Sequence, residues 1–204
     1  MHPSSRFQMS PDDAITFASR VGVGHLATLV SGRIQSVLIP FFIDHDESSS
    51  TLYGHISVNN RQASSIEKCA EALVIVDGPI AYVSPSLYPT KAKDGKVVPT
   101  LNYISVQLRG HLTPVTDSED FRDLLATLTS QYEANRDEPW SISDAPFEFI
   151  QTQMRAIRGF SMRIDDIQGV AKHSQNRNES DQHAVRSSFM NGTEDERHIA
   201  QRMQ

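Results

Sequence analysis

Residues 25–43, HLATLVSGRIQSVLIPFFI, carry two apolar runs of strand length on either side of Ser31-Gly32-Arg33. A short glycine-containing break between such runs reads as a β-hairpin. Pro40 has no N–H to give to a ladder, so the second run is expected at a sheet edge or bulged at that point. Similar runs follow at 51–57 (TLYGHIS), 72–76 (ALVIV) and 80–84 (IAYVS). The last two flank Asp77-Gly78-Pro79, read as a turn. Tyr103 to Arg109 alternates apolar and polar as a half-buried strand does, and Phe160, Met162, Ile164 and Ile167 mark a last strand.

Helix signals lie between them. Ser10 precedes Pro11-Asp12-Asp13, placing a hydroxyl cap, a first-turn proline and acids at the positive end of a helix. Asn59 or Asn60 is expected to cap a short helix through Ile66 and Cys69, with Cys69 as a small buried residue. Asp117 opens a helix on which Phe121, Leu124, Leu125 and Leu128 share a face, and Ser143 is expected to cap another, through Ile157. Six or seven short strands, mostly hairpin-linked, with three or four peripheral helices give an α+β, mainly β class. The sheet is antiparallel and closes, or nearly closes, into a barrel.

The 204 residues suit one domain with an appendage, divided as 1–177 and a polar, weakly helical or partly disordered tail at 178–204. Lys plus Arg is 19 against 25 Asp plus Glu, a net charge of −6, which argues against a whole surface that clamps nucleic acid; a local basic site, and with it direct DNA binding, stays open without support in the sequence. Cys69 is the single cysteine, so neither an intrachain disulfide nor a multi-thiolate zinc site can form. The eight histidines show no i,i+4 ligand spacing, and no metal is expected. The apolar run 37–43 is far short of the roughly 20 residues a membrane span needs, and the first residues lack a signal-peptide core. The expected location is cytoplasmic.

No nucleophile elbow, Walker A or G-x-G-x-x-G pattern is present, so catalytic residues are not identified. Four segments carry binding chemistry. In His55-Ile56-Ser57-Val58-Asn59-Asn60-Arg61-Gln62 a strand runs into a helix start, where free N–H groups and Arg61 suit a phosphate; taken alone, the segment favours ordinary capping by Asn59 beside a surface arginine. Tyr82-Val83-Ser84-Pro85-Ser86-Leu87-Tyr88-Pro89 sets hydroxyls and phenols where a flat heterocycle could lie, or is simply a proline-rich strand exit. Thr100 and Asn102 stand where the long loop from Pro85 to Pro99 re-enters the sheet. Lys172-His173-Ser174-Gln175-Asn176-Arg177 joins two cations to neutral hydrogen-bonding side chains, suited to an anion or to a solvated turn.

Taken in order, these pieces resemble one family. They are Leu52-Tyr53-Gly54-His55, Asp77-Gly78-Pro79, Tyr82-Val83-Ser84-Pro85-Ser86, Gly95-Lys96-Val97-Val98-Pro99-Thr100 with Asn102-Tyr103, and Lys172 with Ser174-Gln175-Asn176-Arg177. The chain is similar, from about Pro11 to Arg177, to the PaiB-like FMN-binding negative transcriptional regulators. Family members usually have Trp where this chain has Leu87 and Leu101, and Asn-Pro-Gln where it has Asn60-Arg61-Gln62.

The resemblance implies a split β-barrel of the flavin-reductase and pyridoxamine-phosphate-oxidase type, a homodimer with FMN at its interface. It implies FMN contacts from His55, Asn59, Arg61, Ser84, Ser86, Thr100, Asn102, Lys172, Ser174, Gln175, Asn176 and Arg177. The phosphate and ribityl chain are expected near Lys172, Ser174, Gln175 and Arg177, with Arg61 a second candidate. The ring is expected near Ser84, Ser86, Thr100 and Asn102, with Leu87 and Leu101 beside it. The implied function is an FMN-binding regulator. Two alternatives are an oxidoreductase using NAD(P)H and a regulator with a degenerate flavin site acting through a protein partner.

Overall fold

A computed structural model describes residues 4–46 and 48–203. The hairpin forms: β1 (Val23–Val30) and β2 (Arg33–His45) pair antiparallel, with Leu29 opposite Ile34 and Leu26 opposite Val37. Ser31 (φ 50°) and Gly32 (φ 74°) are both left-handed, the backbone that lets a two-residue turn match the twist of its strands. Helix α1 (Pro11–Val21) precedes them, and the Ser10 hydroxyl accepts the Asp13 N–H at 3.1 Å, as the cap signal predicts. There follow β3 (Ser50–Ser57), α2 (Ala63–Glu67), β4 (Glu71–Val83), α3 (Lys91–Asp94), β5 (Thr100–Val115), α4 (Ser118–Glu133), α5 (Phe147–Arg155), β6 (Ile157–Lys172), α6 (Glu179–Met190) and α7 (Glu194–Ala200).

Six strands close into a ring in the order β1-β2-β3-β6-β5-β4, the antiparallel barrel the strand pattern predicts, though several strands are long rather than short. Pro40 is not at an edge. β2 lies between β1 and β3, and Pro40 is opposite Val23, the first residue of β1, immediately before Phe41 begins the pairing with β3. At that handover its missing N–H interrupts no ladder. Asp77-Gly78-Pro79 is not a turn either. β4 runs through it unbroken, and Gly78 is not among the left-handed residues that a chain reversal would use.

Contacts divide the chain into two compact units, with β4, β5 and β6 contributing to both. The larger, Ile15–Val76 with Gln107–Ile167, has Leu26, Ile39, Phe41, Leu52, Val74, Leu108, Phe160 and Met162 fully buried. Each such side chain contributes about 1.5–3 kcal/mol. Phe121, Leu124 and Leu128 of α4 pack with Ile150 and Met154 of α5. A side chain at Gly110 would collide with the Arg163 carbonyl, so the close approach of β5 and β6 depends on glycine there. Ser143 does not cap α5: Ser141 closes a capping box on a separate short turn, Ile142–Asp144, and α5 begins after Pro146. Cys69 is exposed, with φ 50°, because α2 has already ended.

In the other unit (1–14, 77–106 and 168–204), the segment after Asn178 forms α6 and α7. Val185, Phe189, Ile199, Ala200 and Met203 are buried against Ala81, Val83 and Tyr88. Apolar residues that look sparse along the sequence converge because two short helices present them to one sheet face. No helix of the described residues is long and apolar enough to cross a membrane.

Candidate functional site

Nine of the twelve candidate residues lie in the second of these units. Strand alternation puts Thr100 and Asn102 on the same face of β5 as buried Ile104. β6 ends at Lys172, and the chain turns sharply through Ser174, whose φ is 64°. The two strand ends are joined twice. Lys172 Nζ donates to Thr100 Oγ1, and Asn102 and Ser174, both buried, exchange bonds of 2.9 and 3.2 Å. Gln175 braces the turn, donating to the Ala171 carbonyl at 2.6 Å and the Arg6 carbonyl at 3.2 Å while accepting the His173 N–H at 2.6 Å. Asn176 is exposed.

Arg177 lies with its guanidinium carbon 4.3 Å from the centre of the Tyr88 ring, a stacked cation. Lys172 Nζ stands 5.7 Å from the Phe7 ring. Burial, and after it the charge of Arg177, hold the Lys172 ammonium below its usual range. Among the described residues no carboxylate pairs with either cation. His173 is pushed down to about 4, by burial first and by Arg202 second, so it is neutral at physiological pH. The result is a ledge of two adjacent, uncompensated cations beside a hydroxyl.

The segment expected beside a ring is arranged differently along its length. Ser84 caps the turn Pro85–Leu87 and bonds the Ser86 hydroxyl at 2.7 Å. Leu87 packs into the buried cluster around Tyr88. Leu101 points to the opposite face of β5 from Thr100 and Asn102 and is 47% exposed, as Tyr82 on β4 is 57% exposed. Phe7 carries no local signal in the sequence for a place beside Lys172; the fold brings it there.

His55, Asn59 and Arg61 belong to the larger unit. His55 lies on β3 opposite Gly159; its Nδ1 is buried with no partner among the described residues, and burial lowers its pKa. Asn59 and Arg61 are exposed in the turn after β3. The residue that ties this turn down is Gln62, fully buried, whose Nε2 donates to the Leu26 carbonyl, the Thr28 hydroxyl and the Gln35 carbonyl at 3.1, 3.1 and 3.3 Å. Asn60 accepts the Gln62 N–H at 2.9 Å and so closes the turn rather than capping α2.

Residues 1–166 match the model of the family described as "Putative FMN-binding domain", a match that ends short of the Lys172 ledge. The chain is 28% identical to protease synthase and sporulation protein PAI 2 of Bacillus subtilis, over 81% of this chain and 77% of that one. It is 34% identical to the AN0679 protein of Emericella nidulans, over 78% and 76%. Among solved structures it is similar to an FAD and heme binding protein from Mycobacterium smegmatis, with TM-score 0.62, 16% identity, and 87% of this chain and 78% of that one covered. The flavocytochrome Anf3 from Azotobacter vinelandii gives TM-score 0.61 at 14% identity, covering 90% and 78%. At these identities the structural likeness is one of fold.

Proposed function

This chain belongs to the FMN-binding-domain family, and on that premise we propose that its Lys172–Arg177 ledge takes the FMN phosphate in a homodimer of the regulator type. The observation that carries the reading is the pair of adjacent cations, Lys172 and Arg177, with no carboxylate partner among the described residues. A dianionic phosphate would relieve the repulsion between them and accept charged hydrogen bonds from both. The Thr100 hydroxyl stands beside the ledge as a further donor. The residues present therefore fit the phosphate end of FMN, and the flavin ring, when bound, supplies the redox chemistry. The buried Asn102–Ser174 pair acts on this reading as the brace that holds the ledge. Ser84 and Ser86 remain candidates for the ring edge, and His55, Asn59 and Arg61 remain candidates for flavin contacts.

The apolar outward face of the hairpin supports a second copy of the chain as partner. Leu29 and Ile34, directly opposite one another, are 62% and 78% exposed, and Leu38 continues the stripe. An isologous interface would bury at least about 2,000 Å² if obligate. A cytoplasmic location agrees with a single, free cysteine. The decisive experiment is an FMN titration of the purified protein. Stoichiometric, saturable binding that weakens in Lys172→Ala and Arg177→Ala supports the reading, and unchanged binding in both removes the ledge from it. FMN-stimulated oxidation of NAD(P)H would replace the regulatory role with an oxidoreductase.

A further inference from the structure

Asp181, in the first turn of α6, is 1% exposed, and its carboxylate is met by three donor groups, none of them a cation. The Thr90 N–H donates to Oδ1 at 3.2 Å, and the Thr90 hydroxyl stands 3.0 and 2.8 Å from the two oxygens. Asn178 Nδ2 donates to Oδ2 at 3.2 Å, while Asn178 Oδ1 accepts the Asp181 N–H at 3.0 Å as the helix cap. A buried carboxylate without a counter-ion costs more than an apolar residue of its size would, so packing alone gives no reason for it. What it does provide is a directional lock between two segments.

Those segments are the ones that bear on Arg177. Thr90 is two residues after Tyr88, and Asp181 is four after Arg177. The Tyr88 ring carries the Arg177 guanidinium, and the Arg177 carbonyl accepts from Gln182 Nε2 at 2.7 Å, one residue past Asp181. The Tyr88–Thr90 segment and the Arg177–Asp181 segment are thus clamped at two points, one by stacking and one by the carboxylate. We infer that Thr90 and Asp181 are positioning residues: their clamp sets the plane of the Arg177 guanidinium, so that its free N–H edges are presented to the phosphate of the bound flavin. This deepens the flavin reading above and rests on it. The Arg177–Asp181 half of the clamp lies beyond residue 166, where the family match ends.

The test uses the full chain and measures affinity for FMN and for riboflavin, which lacks the phosphate, by flavin fluorescence quenching. Thr90→Val and Asp181→Ala should each weaken FMN binding about tenfold, the scale of a displaced charged hydrogen bond. Thr90→Ser, which keeps both donors, should bind as the parent does. Riboflavin affinity should be the same in all of them, and Asp181→Ala should add nothing in an Arg177→Ala background. Should Asp181→Ala fail to fold, Thr90→Val carries the test alone. Unchanged FMN affinity in Thr90→Val, with Arg177→Ala still weakened, overturns the clamp and leaves the flavin reading standing. Equal losses for FMN and riboflavin also overturn it, because the clamp would then support the unit rather than the phosphate end. If Arg177→Ala and Lys172→Ala both bind FMN as the parent does, the flavin reading itself fails and the clamp falls with it.

Discussion

Asn102 and Ser174, 72 positions apart and both buried, satisfy each other with two hydrogen bonds, Nδ2 to Oγ at 2.9 Å and Oγ to Oδ1 at 3.2 Å. Their polar groups are directed at one another and hold the end of β6 against the start of β5. Asn102→Ala leaves the Ser174 hydroxyl buried and unsatisfied in a backbone already at φ 64°. The expected loss is ~1–3 kcal/mol of stability, read from urea unfolding. Wild-type stability in that variant would show that water replaces the pair.

Lys172→Ala should weaken FMN binding by ~1.5–3 kcal/mol, tenfold or more in Kd. The ligand-free protein should not lose stability through charge, because the substitution removes a cation that Arg177 repels. Thermal melts with and without FMN separate the ligand's contribution from the lost Lys172–Thr100 bond: the ligand-induced rise in Tm should shrink, whatever the ligand-free Tm does.

His173 titrates near 4 in the folded chain against an ordinary value near 6.5, and burial moves His55 the same way. Between those values the unfolded chain binds protons that the folded chain does not, so stability is complete above about pH 6.5 and declines as pH falls toward 4. His173→Gln should flatten that decline when unfolding free energy is measured across the window. An equally steep profile in the variant would assign the dependence to other groups.

The hairpin turn offers a stabilising change. Ser31 holds φ 50° without glycine's freedom, and Asn tolerates that conformation better at the first position of such a turn. Ser31→Asn should add ~0.5–1 kcal/mol, seen as a later urea midpoint at unchanged m value. Gly32→Val should do the reverse, since φ 74° is strained for a branched side chain.

The exposed Leu29–Ile34 pair tests assembly. Ile34→Asp should leave the fold intact, because the residue is 78% exposed, yet dissociate a dimer that uses this face. Sedimentation at low micromolar concentration reads the result. A parent protein that is monomeric and still binds FMN stoichiometrically would remove the shared interface.

The sequence by itself determined the features whose physics is local. The hairpin at 25–43 follows from two runs and a turn, the start of α1 from Ser10-Pro11-Asp12-Asp13, and α4 from an Asp117 cap and a leucine stripe. The mainly β class and the family resemblance follow from several such pieces in order. Tertiary structure decided what depends on pairing across the chain. Pro40 escapes the edge because β2 changes partners at that residue, and Asp77-Gly78-Pro79 stays extended because β4 continues beyond it. The candidate site shows the same division. Lys172 and Arg177 are visible as cations in any reading, but that no carboxylate among the described residues pairs with them, that Tyr88 carries one of them, and that Asp181 is buried against Thr90 are matters of which distant segments meet. Capping and periodicity act over a few residues and are written in order along the chain; charge compensation and burial depend on neighbours brought together by strand order, which no short window contains.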